Sequence, residues 1–187
     1  MARFALVTGG SSGIGEQYLR QLAAEGRNVV VVSNRDDENR RVAASVRAEF
    51  GVEAEPLCVD LTEPTAAEQI FEFCEQHAIE VNILINNAGL QHVSLIEDFP
   101  IEKFEQMLQI MLTGPFMLTR EVIPIFKKQQ SGRIINMASI NGLIGFAGKS
   151  AYNSAKHGLI GLTKVTALEC ATDSVTVNAI CPGYVDT

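Results

Sequence analysis

A glycine-rich turn close to the amino terminus constrains the fold of this chain more than any other feature. Residues 8–15, with the sequence TGGSSGIG, separate an apolar run at residues 4–7 from an amphipathic stretch. This order predicts a strand, a turn and a helix. Gly9 permits a sharp turn, Gly13 lets the backbone approach a pyrophosphate, and Gly15 lets the helix pack closely on the strand.

The helix that follows this turn directs its free N–H groups and the positive end of its dipole at the turn, which favours an anion. The turn therefore predicts a phosphate site of the kind that holds a dinucleotide, with a purely structural turn as the alternative. The candidate cofactor-binding residues of the turn are Thr8, Gly9, Ser11, Ser12, Gly13, Ile14 and Gly15.

Strands and helices are predicted to alternate along the whole chain. Apolar runs predict strands at residues 4–7, 29–32, 57–59, 81–85, 133–137 and 175–180. Helical patterns occupy residues 13–25, 37–50, 64–77, 101–128 and 151–171, and Pro115 and Pro124 predict a bend or break in the fourth. Strands that are apolar on both faces require helices on both faces. We therefore predict an α/β fold with a doubly wound parallel (Rossmann) sheet of order 3-2-1-4-5-6.

Length and composition favour one domain over residues 1–187. The 187 residues are 47% hydrophobic and 20% charged, which suits a globular chain with a sizeable core. The net charge of −7, without a long basic run, argues against a nucleic-acid or anionic-membrane partner. No apolar run reaches a membrane span and no room for a signal peptide precedes the glycine turn, so we expect a cytoplasmic protein.

The cysteines and histidines predict no metal site. The four cysteines are widely spaced, no Cys-x-x-Cys pair occurs, and no histidine lies at metal-ligand spacing from them. We expect reduced, buried thiols.

Three further polar groups fall where a bound nicotinamide dinucleotide would need them. The sequence NNAG at residues 86–89 ends the fourth predicted strand, Ser139 follows the fifth, and Tyr152 opens the last long helix. In a doubly wound sheet these positions and the glycine turn lie at the same edge, which is the one formed by the carboxyl ends of the strands. Ligands of such sheets bind in the crevice at that edge.

Tyr152 and Lys156 lie four residues apart, which places both side chains on one helical face. A free tyrosine has a pKa of about 10, so a neighbouring ammonium is expected to favour the phenolate and to ease proton transfer. Ser139 would then orient or polarise a substrate oxygen. An ordinary solvated helix surface is the alternative for the Tyr-x-x-x-Lys pair taken alone.

The chain resembles the short-chain dehydrogenase/reductase family over nearly its whole length. The motifs that carry the resemblance are TGxxxGxG at residues 8–15, Asp60, NNAG at residues 86–89, Ser139, YxxxK at residues 152–156 and Pro182-Gly183. The resemblance implies interconversion of an alcohol and a carbonyl with NAD(H) or NADP(H).

The same resemblance implies a role for each site residue. Tyr152 would be the general acid/base, Ser139 would bind the substrate, and Lys156 would hold the nicotinamide ribose. Asp60 would meet the adenine, and Asn87 the adenosine side. The further cofactor-binding residues that it implies are Asp60, Leu61, Asn87, Ala88, Gly89, Tyr152, Lys156, Pro182, Gly183, Val185 and Thr187.

Residues 85–187 are most similar to D-3-hydroxybutyrate dehydrogenases within that family. The similar segments are GLQHV at residues 89–93 and SINGLIGFAGK at residues 139–149. The similarity implies that Gln91 and Lys149 hold a small carboxylate, with Asn141 where many of those enzymes have histidine. A lysine charge with amide donors suits a carboxylate, whereas solvated loop positions are the alternative for both residues.

Two positions depart from the family pattern within the expected site. Met111 stands where the family has an asparagine, and a thioether cannot replace an amide. In the family, a water can bond the backbone carbonyl at this position, and that carbonyl survives any substitution of the side chain. We therefore expect Met111 to tune the activity and not to abolish it.

The second departure concerns the cofactor. Ser33 stands where an NAD-specific member has an acid, and Asn34 and Arg35 follow it. This makes NADP(H) plausible beside NAD(H), although Arg35 could equally pair with Asp36 or Glu38. NAD or NADP therefore stays open.

Family members also continue for a lid, a helix and a seventh strand beyond the position of Thr187, so we expect a core that lacks that segment. The resemblance further implies a possible homodimer through the helices at residues 101–128 and 151–171.

The combined expectation is an NAD(P)-dependent oxidoreductase acting on a small 3-hydroxy/3-oxo acid such as 3-hydroxybutyrate. The alternatives are a 3-oxoacyl-thioester reductase and a cofactor-binding core without turnover.

Overall fold

The computed structural model describes residues 2–185, and within them the strands form one parallel sheet. The strands are β1 (Ala2–Thr8), β2 (Asn28–Ser33), β3 (Ala54–Cys58), β4 (Ile79–Asn86), β5 (Gly132–Met137) and β6 (Val175–Ile180). Their order across the sheet is β3-β2-β1-β4-β5-β6, with every neighbouring pair parallel. The predicted fold class and strand order are confirmed.

Helices cover both faces of the sheet. They are α1 (Gly13–Ala24), α2 (Asp36–Phe50), α3 (Ala66–Gln76), α4 (Ile101–Leu108), α5 (Gly114–Gln129) and α6 (Ser150–Glu169). Because side chains alternate along a strand, Val7 of β1 packs with Leu19 of α1 and Val46 of α2, whereas Leu6 packs on the opposite face with Val122 and Phe126 of α5. The two apolar layers leave the carboxyl ends of the strands open at one edge. No helix within residues 2–185 is long and apolar enough to cross a membrane.

The segment at residues 101–128 is a helix interrupted by a wide turn. A π-helical turn, Gln109–Thr113, separates α4 from α5 and ends next to Pro115 in the first turn of α5. The predicted break is therefore found beside Pro115. No break occurs at Pro124, because α5 runs through it without interruption. Packing of the fully buried Val122 and Phe126 against the sheet offsets the cost of the missing hydrogen bond.

The expectation that all four thiols are buried was wrong for two of them. Cys74 and Cys170 are buried, and burial raises the pKa of Cys74 to about 12. Cys58, however, is exposed and Cys181 is partly exposed, because they lie at the carboxyl ends of the outermost strands, where side chains leave the core. No cluster of potential metal ligands occurs among the described residues.

Candidate active site

The glycine turn is held in place by the end of β4. The side-chain amide of Asn87 donates to the carbonyl oxygens of Thr8 (3.0 Å) and Gly9 (3.2 Å). Gly9 has a φ of +65°, and a Cβ there would lie 2.9 Å from the Cα of Ala88. A Cβ at Gly15 would overlap the carbonyl oxygen of Gly9. The turn thus leaves a cradle free of side chains, which fits a pyrophosphate.

A cavity of about 440 Å³, here called the glycine-turn cavity, lies over this cradle. Thirteen of the predicted cofactor-binding residues line it, namely Gly9, Ser11, Ser12, Ile14, Gly15, Ser33, Asn34, Arg35, Asp60, Leu61, Asn87, Ala88 and Gly89. Thr8 and Gly13 do not line it. Thr8 is buried, and its hydroxyl oxygen accepts from the backbone N–H groups of Asn87 (3.0 Å) and Ala88 (3.1 Å). It therefore joins β1 to β4 instead of facing a ligand.

The charged residues on the wall of this cavity are Arg35 and Asp60. One carboxylate oxygen of Asp60 accepts from the backbone and the hydroxyl of Thr62, each at 2.9 Å. Within residues 2–185 no carboxylate lies within 4.0 Å of the Arg35 guanidinium, and Asp36 pairs with Arg40 instead. The ion pair of Arg35 with Asp36 or Glu38, which the sequence left open, is therefore not formed.

A second cavity of about 450 Å³, the tyrosine cavity, adjoins the first, and the two share Ile14, Asn87, Gly89 and Leu90. The other predicted residues that line it are Gln91, Ser139, Tyr152, Lys156, Pro182, Gly183 and Val185. Residues at the carboxyl ends of all six strands and at the start of α6 thus meet in one crevice. Thr187 lies outside the described residues.

Ser139, Tyr152 and Lys156 converge on the tyrosine cavity, since β5 ends beside the first two turns of α6. The ammonium of Lys156 donates to the carbonyl oxygen of Met137 (2.5 Å) and lies 5.5 Å from the centroid of the Tyr152 ring. The backbone N–H of Asn141 donates to the Ser139 hydroxyl (3.2 Å) and orients it. The predicted proximity of the tyrosine and the lysine is confirmed.

The expected phenolate is not what the surroundings of Tyr152 favour. Burial raises the pKa of Tyr152 above 10.0, and the hydroxyl of Ser139 only partly opposes this change. Burial also lowers the pKa of Lys156 from 10.5 to about 8, while Cys181 opposes the lowering. Loss of hydration is therefore the largest influence on the pKa of both groups, and without a bound ligand Tyr152 is a protonated phenol at neutral pH.

Two of the predicted substrate residues stand back from the tyrosine cavity. Asn141 is buried behind Ser139 and does not line the cavity. Lys149 also does not line it, but its ammonium lies 5.9 Å from the centroid of the Tyr184 ring, and Tyr184 does line the cavity. Lys149 is therefore at the rim, next to an exposed aromatic ring.

Met111 occupies the wide turn between α4 and α5. It is buried with Met107, Ala151 and Ala155, and a Cβ at Gly89 would lie 3.3 Å from its sulfur. Its thioether fills the space between the end of β4 and α6 with an apolar group. No hydrogen bond links its side chain to Lys156 within the part of the chain that is described.

Sequence reasoning missed several cavity residues. Val59, Leu90 and Ile110 line the glycine-turn cavity, and Met137, Ala138 and Tyr184 line the tyrosine cavity. Leu90, Ala138 and Tyr184 each follow or precede a motif residue directly, so adjacency was a usable signal. Ile110 had no such signal, because the wide turn brings it to the site.

Comparison with known proteins gives consistent matches. A family model described as short chain dehydrogenase matches residues 3–187. An uncharacterized oxidoreductase, YxjF, of Bacillus subtilis is 53% identical over 183 residues, which are 98% of this chain and 71% of that protein. A D-beta-hydroxybutyrate dehydrogenase of Cupriavidus necator is 44% identical over 181 residues, 97% of this chain and 70% of that protein. A solved short-chain dehydrogenase from Sphingobium yanoikuyae in complex with NADPH has a TM-score of 0.92 at 30% identity, covering 100% of this chain and 72% of that one.

Proposed function

The chain belongs to the short-chain dehydrogenase family, and on this basis we propose that it interconverts a small 3-hydroxy acid and the corresponding 3-oxo acid with NAD(H) or NADP(H). The observation that carries the proposal is the convergence of Ser139, Tyr152 and Lys156 on a cavity that adjoins the glycine-turn cavity. The dinucleotide, when bound, gives or takes the hydride.

In this proposal Tyr152 moves the proton. Because its phenol is protonated at neutral pH, its hydroxyl can give a proton to the carbonyl oxygen as the carbonyl carbon is reduced. In the opposite direction the phenolate takes the proton from the substrate hydroxyl. Ser139, oriented by the backbone N–H of Asn141, donates to the same oxygen. Lys156 is held by Met137 and places its charge beside the ring of Tyr152.

The same proposal assigns the dinucleotide to the joined cavities. The glycine turn would hold the pyrophosphate, Asp60 and Leu61 the adenine, and the residues from Ser33 to Arg35 the adenosine ribose. Pro182, Gly183 and Val185 would lie against the nicotinamide. The cradle at Gly9 and Gly15, which any Cβ would fill, supports this placement.

The acid class of substrate is proposed from groups at the tyrosine cavity. Gln91 lines the cavity and offers an amide donor, and Lys149 lies at the rim with its ammonium beside the ring of Tyr184. A carboxylate three carbons from the reacting oxygen suits both donors. The name of the Cupriavidus necator relative supports the same class of substrate.

A comparison of two tyrosine variants tests the reaction. Tyr152 and Tyr184 line the same cavity, so Tyr184→Phe is a matched control for Tyr152→Phe. We expect Tyr152→Phe to lower kcat for acetoacetate reduction by about 10²–10⁴-fold, the usual contribution of a general acid, while the dinucleotide still binds. Tyr184→Phe should retain activity. Full activity of Tyr152→Phe would refute the role of the phenol.

The substrate class is tested separately. Purified chain is assayed with free acetoacetate and with an acetoacetyl thioester, using NADH and NADPH in turn. Turnover of the free acid that falls in Lys149→Met supports the proposal. Turnover of the thioester alone would replace the acid with a 3-oxoacyl thioester as substrate. Binding of dinucleotide without turnover of either would reduce the function to cofactor binding.

We also propose a second copy of this chain as partner. Exposed apolar side chains occur on two helices of one face of the sheet, Phe116 on α5 and Val165 and Leu168 on α6. The carboxyl ends of these helices are joined by Lys127, which pairs with Asp173 (3.1 Å). Exposed apolar side chains on these two helices favour a homodimer.

A further inference from the structure

A row of buried hydrogen-bonding side chains, here called the polar row, joins α6 to the sheet. The amide of Asn86, at the end of β4, donates to the side-chain oxygen of Asn136 on β5 (2.8 Å). The amide of Asn136 in turn donates to the hydroxyl of Thr163 on α6 (2.8 Å). All three residues are buried. The polar row therefore crosses the core from β4 through β5 to α6.

The hydroxyl of Thr163 uses both of its hydrogen-bonding capacities in this arrangement. It donates its one proton to the carbonyl oxygen of Leu159, one turn earlier in the same helix (2.7 Å). The acceptor side of the oxygen is thereby left to the amide of Asn136. Because the proton is committed to the helix, Thr163 can accept from Asn136 in one orientation only.

The polar row lies next to the group that holds Lys156. Asn136 directly precedes Met137, whose carbonyl oxygen accepts from the ammonium of Lys156 (2.5 Å). Lys156 and Thr163 are seven residues apart, close to two helical turns, and so lie on one face of α6. Two positions on that face thus bond to consecutive residues of β5. The bond at Thr163 therefore helps to determine where the ammonium of Lys156 can lie.

The polar row is not the most stable way to fill this part of the core. The side-chain oxygen of Asn86 is buried and has no hydrogen-bond partner among the described residues. Apolar side chains of similar shape would leave no such group without a partner. Hydrogen bonds, however, depend steeply on distance and direction. The polar row therefore fixes the placement of α6 on β5 more narrowly than apolar contacts would.

We propose that Thr163 is a positioning residue for Lys156, and that it acts by fixing α6 on β5 through Asn136. The ammonium of Lys156 lies beside the ring of Tyr152, and both residues belong to α6. A displacement of this helix would move both groups relative to β5 and to a substrate in the tyrosine cavity. The inference rests on the proposed function only in taking Tyr152 and Lys156 as the groups that serve the reaction.

Thr163→Val tests this role, and Thr166→Val is its matched control. Both threonines are buried in α6, and both hydroxyls donate to the carbonyl oxygen four residues earlier. Among the described residues only Thr163 also accepts from a side chain of the sheet. We expect Thr163→Val to lower kcat for acetoacetate reduction about tenfold while KM changes less than about twofold, because small displacements of reacting groups affect the chemical step strongly. Thr166→Val should retain kcat, and Thr163→Ser, which keeps the hydroxyl, should restore most of it.

The side chain of Lys156 reports on its own placement without any turnover. Its ε-methylene gives a ¹H–¹³C signal in NMR spectra, which Lys156→Met assigns by its loss. We expect Thr163→Val to shift this signal, because the ammonium and its surroundings move relative to Met137. Thr166→Val and Thr163→Ser should leave the signal close to its original position.

Thr163→Cys covers the case in which Thr163→Val does not fold, because a thiol of similar size keeps a weak acceptor at this position. It should change kcat and the Lys156 signal in the same direction by a smaller amount. An unchanged Lys156 signal, an unchanged kcat, or equal effects of Thr163→Val and Thr166→Val would overturn the inference alone. A folded, unaltered chain that reduces neither acetoacetate nor its thioester would overturn the proposed function, and the Lys156 signal would then decide the positioning role by itself.

Discussion

The ammonium of Lys156 is a charge held almost entirely away from water. Its single described acceptor is the carbonyl oxygen of Met137 at 2.5 Å, and 4% of the residue is exposed. Burial lowers its pKa to about 8 because one hydrogen bond replaces only part of the lost hydration. At neutral pH the buried charge beside Tyr152 therefore lowers the stability of the folded chain.

This penalty predicts how stability depends on pH. A lysine whose pKa falls from 10.5 to about 8 on folding destabilises the fold by about 3 kcal/mol below pH 8, and the penalty disappears as pH rises from about 8 to 10.5. The sign follows because the folded chain releases this proton first. The stability of Lys156→Met relative to the unaltered chain should thus fall by that amount between pH 7 and pH 10.5.

Urea denaturation at each pH measures this change. Lys164→Met, an exposed lysine of the same helix, is the control and should show a constant difference. A constant difference for Lys156→Met as well would contradict the lowered pKa of Lys156.

At the scale of single residues, the sequence predicted where side chains lie better than it predicted how deeply they are buried. The four-residue spacing of Tyr152 and Lys156 placed them together correctly because helical geometry fixes that distance. The direction in which the pKa of the phenol shifts could not be predicted, because it depends on burial by distant segments. The complete burial of Asn39 in α2 was not predicted, because a polar residue in a helical pattern resembles a solvated position. Its burial arises only when α2 packs on β2 and β3.

The close packing of α1 on the glycine turn brings two backbone segments together and does not depend on a single side chain. The first turn of α1 approaches the end of β1 so closely that a Cβ at Gly15 would overlap the Gly9 carbonyl. Gly161 of α6, by contrast, has nothing within 4 Å of the same hypothetical atom. Two helical glycines therefore offer opposite surroundings for one methyl group.

We expect Gly15→Ala to lower the free energy of unfolding by about 3 kcal/mol or more, because backbone atoms must separate to admit the methyl group. It should also abolish nucleotide binding at the turn. Gly161→Ala should stabilise the chain by about 1 kcal/mol through helix propensity. Denaturant midpoints measure both, and a Gly15→Ala protein as stable as the original would show that the helix can move away at little cost.

Element order was predictable, and element boundaries were less so. Apolar strands that alternate with helices left few arrangements open, so the order β3-β2-β1-β4-β5-β6 followed correctly. The start of α3 was placed at Pro64 but lies at Ala66. The form of the wide turn Gln109–Thr113 was not predicted, because it depends on how α4 and the turn itself pack against α6.

At the scale of the whole molecule, we propose that a second copy covers the exposed apolar surface of α5 and α6. Leu168 is 78% exposed on this surface, whereas Leu143 is 60% exposed outside both helices. We expect Leu168→Asp to shift the chain from twice its own mass to a single chain mass in light scattering. Leu143→Asp should leave the mass unchanged. A single chain mass for the unaltered protein would remove the homodimer.

The placement of the thiols gives the molecule a built-in pair of attachment points for spectroscopic labels. Cys58 ends one outer strand and Cys181 follows the other, so the two sulfurs stand at opposite ends of the crevice, roughly 24 Å apart at about 4.8 Å for each of the five strand spacings. Cys74 and Cys170 are enclosed by the core and react more slowly. Paired spin labels on the unaltered sequence would therefore record, as a distance distribution, how far the crevice widens or narrows when a nucleotide binds.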